Sequence, residues 1–172
     1  MMYSKNFTLT TNRLTLVPFT QNESELFQEI NNDPFVRKYL WDDEVIDESL
    51  TKEILSQNAK HFEEDDFGLW KMIDSENSLV IGYVGLWYFF DEPQPQLIYA
   101  LLPEFTKKGF AKEASLKILC YAFEYLQFSY LIAATYEGHK ESQKVAESIG
   151  MSFFETKIQD GKSTSFFRID RD

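Results

Sequence analysis

Cysteine is nearly absent. With Cys120 alone no internal disulfide can form, and with only two histidines there is no Cys/His cluster of the kind that holds a metal. Positive charge is short as well. Seventeen Lys and Arg face twenty-eight Asp and Glu, and the net charge of −11 excludes nucleic acid as the main ligand, since phosphate backbones are bound by basic patches. No apolar run approaches the roughly 18 residues of a membrane-spanning helix. Met1–Thr10 lacks the basic-then-apolar layout of a signal peptide. There is no linker-like stretch and no repeat. The expectation is one cytoplasmic domain over 1–172, with no metal, nucleic-acid or membrane partner.

Aromatic residues are plentiful: sixteen Phe and nine Tyr supply a single packed core and exclude a disordered chain. Phe7–Phe19 reads as extended, and Asn22 or Ser24 caps a helix to about Asn31. Asp33-Pro34 starts a short helix. A longer one over Asp47–Phe62 carries a stripe of Leu50, Ile54 and Leu55. Strands follow at Leu69–Ile73 and Leu79–Phe90 around the polar turn Asp74–Asn77, then at Leu97–Leu102, a run apolar enough to be buried on both faces. A helix over Ala111–Leu126, a strand over Tyr130–Thr135, a helix over Glu141–Ile149 closed by Gly150, and strands at Ser152–Lys157 and Ser163–Ile169 around Asp160-Gly161 complete the order. The strand–helix–strand segment Leu97–Thr135 requires a parallel crossover, which gives an α/β fold with a mixed sheet of about seven strands.

Leu97–Ala114 carries the chemistry. A buried strand enters a tight turn and then a long helix, whose first N–H groups have no carbonyl partners and point outward with the positive end of the dipole. Gly109 permits an unusual backbone and leaves room for a phosphate, and Ala111 is small for the same reason. Lys107, Lys108 and Lys112 put positive charge there in an otherwise acidic chain.

Thr106-Lys107-Lys108-Gly109-Phe110-Ala111 resembles the acyl-CoA pyrophosphate motif of the GNAT acetyltransferases, [Gln/Arg]-x-x-Gly-x-[Gly/Ala]. Lys112-Glu113-Ala114 looks like the x-Glu-Ala that follows it in the RimJ/RimL branch, the ribosomal-protein N-terminal acetyltransferases. Thr11–Leu16 is similar to that branch's Thr-x-Arg-Leu-x-Leu, Ile81–Gly85 to its Ile-Gly-x-x-Gly, and Ser142–Phe153 to its late helix and exit. The resemblance implies a GNAT fold whose fourth and fifth strands, Leu97–Leu102 and Tyr130–Thr135, splay apart. It implies an acetyl-CoA-dependent N-acetyltransferase in which an amine, small and cationic or a protein N-terminus, attacks the thioester directly. Amides of Lys107, Lys108, Gly109, Phe110, Ala111 and Lys112 would hold the pyrophosphate, and Leu101 and Leu102 would pair with the pantetheine arm. An amide near Leu101 would stabilise the oxyanion. Monomers and homodimers are both compatible.

The departures are specific. Thr106 replaces Gln or Arg, and His139 stands where the late helix begins with Asn, as a cofactor contact or a surface residue. Ser142 keeps the branch's hydroxyl near the CoA sulfur, or caps the helix. The tyrosine that protonates the thiolate in many relatives is Ala146 here, so Ser142 inherits that role. Gln96 occupies a position that often carries a Glu, which leaves Glu92, Asp91, Asp160 or a water chain as the base. Trp41, Trp70 and the run Trp87–Phe90 either wall the acceptor pocket or fill the core. Asp42, Asp43 and Glu44 either solvate a face or attract a cationic acceptor. The alternative is a catalytically weak or inactive CoA-binding sensor.

Overall fold

The computed structural model, which describes residues 5–159 and 161–172, splits the first extended stretch into a hairpin. Strands β1 (Leu9–Thr10) and β2 (Leu14–Pro18) pair antiparallel, and the N–H of Thr11 donates to the carbonyl of Leu14 across the turn. Polar residues from Thr10 to Arg13 favour reversal there. Next come α1 (Ser24–Asn32), α2 (Pro34–Leu40), α3 (Glu48–Asp65), β3 (Leu69–Asp74), β4 (Val80–Trp87) and β5 (Gln96–Leu101). The chain ends with α4 (Phe110–Cys120), β6 (Tyr130–Tyr136), α5 (Lys140–Ser148), β7 (Ser152–Gln159) and β8 (Lys162–Asp170). Asp160 lies outside the described residues.

The strands form two antiparallel sheets, β1-β2-β3-β4-β5 and β6-β8-β7. The single mixed sheet of about seven strands is thus eight strands in two sheets among the described residues. After α4 the chain brings β6 back against β5, but no ladder joins them, so the expected splayed pair is the seam between the sheets. Helix α4 covers one face of the larger sheet, packing Ala114 and Ile118 on Leu14, Met72 and Leu101. Helices α1–α3 cover the other, where Phe27, Ile30, Val36 and Leu55 meet Leu69, Tyr83 and Ala100.

Capping explains the helix starts. Asp33 accepts from the amides of Phe35 and Val36 with Pro34 in the first turn of α2, and Asp47 accepts from Leu50 at the start of α3. The stripe read on α3 is corrected. Leu50 is exposed, and the buried face is Thr51, Leu55, Asn58 and Phe62. Two polar residues belong to that face because their partners are internal. The Thr51 hydroxyl donates to the Asp47 carbonyl, while Asn58 donates to the Phe19 carbonyl and accepts from the Leu69 amide. Asn58→Ala should therefore unpair two buried backbone groups and cost about 2 kcal/mol. A fall in Tm of roughly 4–8 °C would be the readout. The helix expected to run to Leu126 leaves α-geometry after Cys120, where Tyr121–Tyr125 widen into a π-turn.

Candidate functional site

Strand β5 is the edge of its sheet, and its register decides which amides are free. Leu102 donates its N–H to the Ile81 carbonyl, which makes Gly82–Leu101 a non-hydrogen-bonded pair. By alternation the N–H and C=O groups of Leu97, Tyr99 and Leu101 point away from β4, across the seam toward β6. The Leu101 amide is free on this edge, which lines the cleft. The Leu102 amide is spent in the sheet, and Leu102 does not line the cleft.

At the end of this edge the chain turns into α4. Lys107 takes a left-handed backbone (φ 61°) and so does Gly109 (φ 85°). Among the described residues no acceptor receives the amides from Lys107 through Lys112; the first with a backbone partner is Glu113, onto the Gly109 carbonyl. A strained non-glycine residue beside a row of unpartnered donors is a feature of binding loops. The turn is held from below by β1–β2. Arg13 donates from Nη1 to the Lys108 carbonyl (2.9 Å), pairs through Nε with Glu113 Oε1 (3.0 Å), and lies 4.1 Å over the Phe110 ring. Glu113 Oε2 also accepts from the Thr11 hydroxyl (2.6 Å) and the Arg13 amide (3.1 Å). Burial alone would raise the Glu113 carboxyl, but these donors outweigh it and hold it below the ordinary carboxylate range. Lys108 thus points its carbonyl inward to Arg13, and its side chain lies outside the cleft wall.

The start of α5 forms the opposite wall. Ser142 sits in the first turn rather than at the cap, a position His139 holds without a side-chain cap bond. The Ser142 hydroxyl lies beside the Tyr99 phenol, whose proton is held more tightly by burial, against a smaller opposing effect of Ser142. His139 stacks on Tyr39 of α2, with ring centres 3.7 Å apart and planes at 11°. Burial lowers its pKa, as does Lys38, against the pull of Glu141, which favours the neutral ring. Lys107 bridges the walls through an ion pair with Glu141 (3.1 Å).

Together these elements enclose a cleft of about 660 Å³, lined by Tyr99 and Leu101 of β5, Lys107 and Gly109–Lys112 of the turn, Ala133–Tyr136 of β6, and His139 and Ser142. The other side is closed by α2 and by Phe89, Phe90 and Gln96. Gln96 is buried; its Nε2 donates to the Phe89 carbonyl (2.9 Å), and its Oε1 has no partner.

Glu92 does not reach this cleft, and neither does Asp91. Strand β4 stops at Trp87, and left-handed conformations at Phe90 and Asp91 carry both carboxylates away from the wall. Glu92 instead lies near enough to Arg168 to favour its charged form slightly. Of the aromatic residues, Trp70 is core and Trp41 donates to Asn31, while Phe89 and Phe90 line the cleft. The acidic rim is largely neutralised, with Asp42 paired to Lys162 and Asp43 to Arg37. Sequence reasoning missed Tyr99 as a partner of Ser142, Arg13 as the prop of the turn, and Tyr39 as the seat of His139. The first had a signal: Tyr99 and Leu101 share a strand face.

Such a cleft can hold a diphosphate on backbone amides and pair an extended, amide-bearing chain with a free strand edge. It also sets one hydroxyl and one unsatisfied carbonyl oxygen near that chain. Among the described residues, no helix is long and apolar enough to cross a membrane. Residues 13–152 match the family described as acetyltransferase (GNAT) domain. The uncharacterized N-acetyltransferase YnaD of Bacillus subtilis (strain 168) is 26% identical over 156 residues, 89% of each chain. An acetyltransferase structure from Agrobacterium tumefaciens str. C58 superposes with a TM-score of 0.83 at 22% identity, covering 99% of this chain and 98% of that one. RimL, a ribosomal L7/L12 alpha-N-protein acetyltransferase solved in complex with coenzyme A, does so with a TM-score of 0.79 at 11% identity, covering 94% and 96%. The structural likenesses concern the fold alone, but the sequence match spans most of the chain, and the protein belongs to the GNAT acetyltransferase domain family.

Proposed function

We propose that the chain, as a single domain over 1–172, is a cytoplasmic, acetyl-CoA-dependent N-acetyltransferase of the RimJ/RimL-like branch, transferring acetyl to a primary amine. One observation carries the reading: the unpartnered amides of Lys107–Lys112 continue the free edge of β5 into one cleft. Those amides, with the Lys107 and Lys112 side chains, fit a pyrophosphate. The free groups of Leu101 and Tyr99 fit a pantetheine arm and supply the donor that stabilises the oxyanion. His139 flanks the arm as a neutral contact, and Ser142 relays a proton to the leaving thiolate.

Family membership supports acetyl transfer, and the coenzyme A complex of RimL supports the cofactor by analogy. The acceptor is an α-amino group of a protein or a small amine. Ion pairing of Asp42 and Asp43 removes most of the support for attraction of a cationic acceptor.

Acetyl-CoA, but not NAD or ATP, should raise Tm, and a panel of amines and peptides should then release free thiol. Stabilisation without release across a broad panel would favour the sensor; no stabilisation would reject the site. Ser142→Ala should lower kcat about 100-fold and leave acetyl-CoA affinity within about twofold, because the hydroxyl makes no cap whose loss would disturb α5. Lost affinity at unchanged kcat would make Ser142 a binding residue only.

A further inference from the structure

We propose that Gln96 Oε1 receives an N–H of the attacking amine and that the acceptor enters uncharged, so that the protein selects weakly basic amines such as α-amino groups over alkylamines. This rests on the transfer reading above.

The first observation is the orphaned oxygen. Gln96 is 1% exposed and belongs to the cleft wall; its Nε2 is tied to the Phe89 carbonyl, and its Oε1 is buried without a partner. A buried carbonyl oxygen without a donor costs about 1–3 kcal/mol, and an N–H arriving with a ligand recovers that cost. Its neighbours are apolar: Phe89, Phe90, Leu97 and Ala133 line the same end. An ammonium there would be desolvated without a countercharge, whereas a neutral amine needs only the hydrogen bond.

The second observation is that no base stands there. Of the charged groups in the cleft wall, Asp42 is paired with Lys162 and Glu141 with Lys107. Asp91 and Glu92, nearest in sequence, lie outside the wall. His139 is neutral but sits at the far end of the seam. Gln94 donates to the Tyr130 carbonyl, which places the start of β6 beside the start of β5, and His139 follows the last residue of β6. Seven residues of strand, roughly 23 Å, separate the two ends. Gln96 itself accepts a hydrogen bond but not a proton.

The step then balances without an enzyme base. The ammonium gives one proton to water before it docks. Its nitrogen lone pair forms the C–N bond at the thioester carbon, held by the Tyr99 and Leu101 edge. The C–S bond breaks as the oxyanion collapses, the Ser142 hydroxyl gives its proton to the thiolate, and the second nitrogen-bound proton returns to Ser142 through water. The products are the acetamide and free thiol.

The test is thiol release against pH with acetyl-CoA saturating and a series of primary amines, from dipeptide α-amines (pKa about 8) to alkylamines (about 10.4). In the native protein kcat/KM should rise with pH and level off at each acceptor's own pKa, so the midpoint moves by about two units across the series. Gln96→Leu should raise the acceptor KM about tenfold, with acetyl-CoA affinity within twofold and Tm not lowered by more than a few degrees, since an unsatisfied oxygen is removed. Gln96→Glu should impose one midpoint common to all acceptors and improve the alkylamines most. A shared midpoint in the native protein, or an unchanged KM in Gln96→Leu, would overturn the proposal while leaving acetyl transfer intact. Acetyl-CoA binding with no thiol release from any amine would overturn the transfer reading and this proposal with it.

Discussion

Gly109→Asp is expected to weaken acetyl-CoA binding by at least about 100-fold while the protein stays folded. The residue opens α4 with φ 85°, and an added Cβ meets nothing closer than a guanidinium nitrogen of Arg13 at 3.3 Å. Asp tolerates left-handed backbone better than most residues, so the strain is modest and the fold should survive. The charge is another matter. A carboxylate would stand among amides oriented to receive a diphosphate, and it would compete with Glu113 for Arg13. Repulsion of this kind at a helix N-terminus reverses the interaction that makes the site. Gly109→Asn separates the two effects, because it has nearly the same shape and no charge; it should lose about tenfold. Isothermal titration with acetyl-CoA reads both variants. Native affinity in Gly109→Asp would reject the cradle.

The turn was legible because its chemistry is local. A glycine, a small residue and three lysines between a buried strand and a helix say where the donors point before any tertiary contact is known. Leu101 and Leu102 show the limit of that reading. Apolar content put both on the strand, but only the partner register, fixed by the Leu102 bond to Ile81, decides which amide is free. Alternation would have excluded one of the two without saying which. Glu92 failed for a different reason. Its direction depends on left-handed backbone at Phe90 and Asp91, and nothing about a bulky Phe90 announces it. The α3 stripe misled because Thr51 and Asn58 are buried by satisfied hydrogen bonds, which apolar periodicity does not register.

Charge was legible in amount but not in effect. The acidic group at Asp42–Glu44 is a fact of composition, yet Asp42 and Asp43 are answered by Lys162 and Arg37, one of them more than a hundred residues away. What remains at the cleft is a basic cofactor end, with Lys112 and Lys144, and an apolar acceptor end around Gln96. Division of one seam into these ends follows from the fold, since the helix dipole acts only where α4 begins.

The last expected result concerns a residue that touches no ligand. Arg13→Ala should lower acetyl-CoA affinity about 30-fold, near 2 kcal/mol, and lower stability by about 1–2 kcal/mol. Arg13 lies 95 residues before Lys108, yet it anchors that carbonyl, neutralises Glu113 and packs on Phe110. Without it the left-handed geometry at Lys107 and Gly109 loses the contacts that fix it, and the amides lose their common aim. The pair is partly exposed, which limits its contribution to stability, so affinity should respond more than Tm. A pH series gives the signature. The Glu113 carboxyl is held below its ordinary value of 4.5, so the stabilisation it provides is complete above that value and is lost as pH falls through the lower folded-state one. The Tm gap between native protein and Arg13→Ala should therefore be constant from pH 7 to about 5 and close in stronger acid. Arg13→Lys, which keeps the charge but not the planar fork, should recover only part of the affinity. Affinity within twofold of native in Arg13→Ala would show that the turn holds its shape unaided.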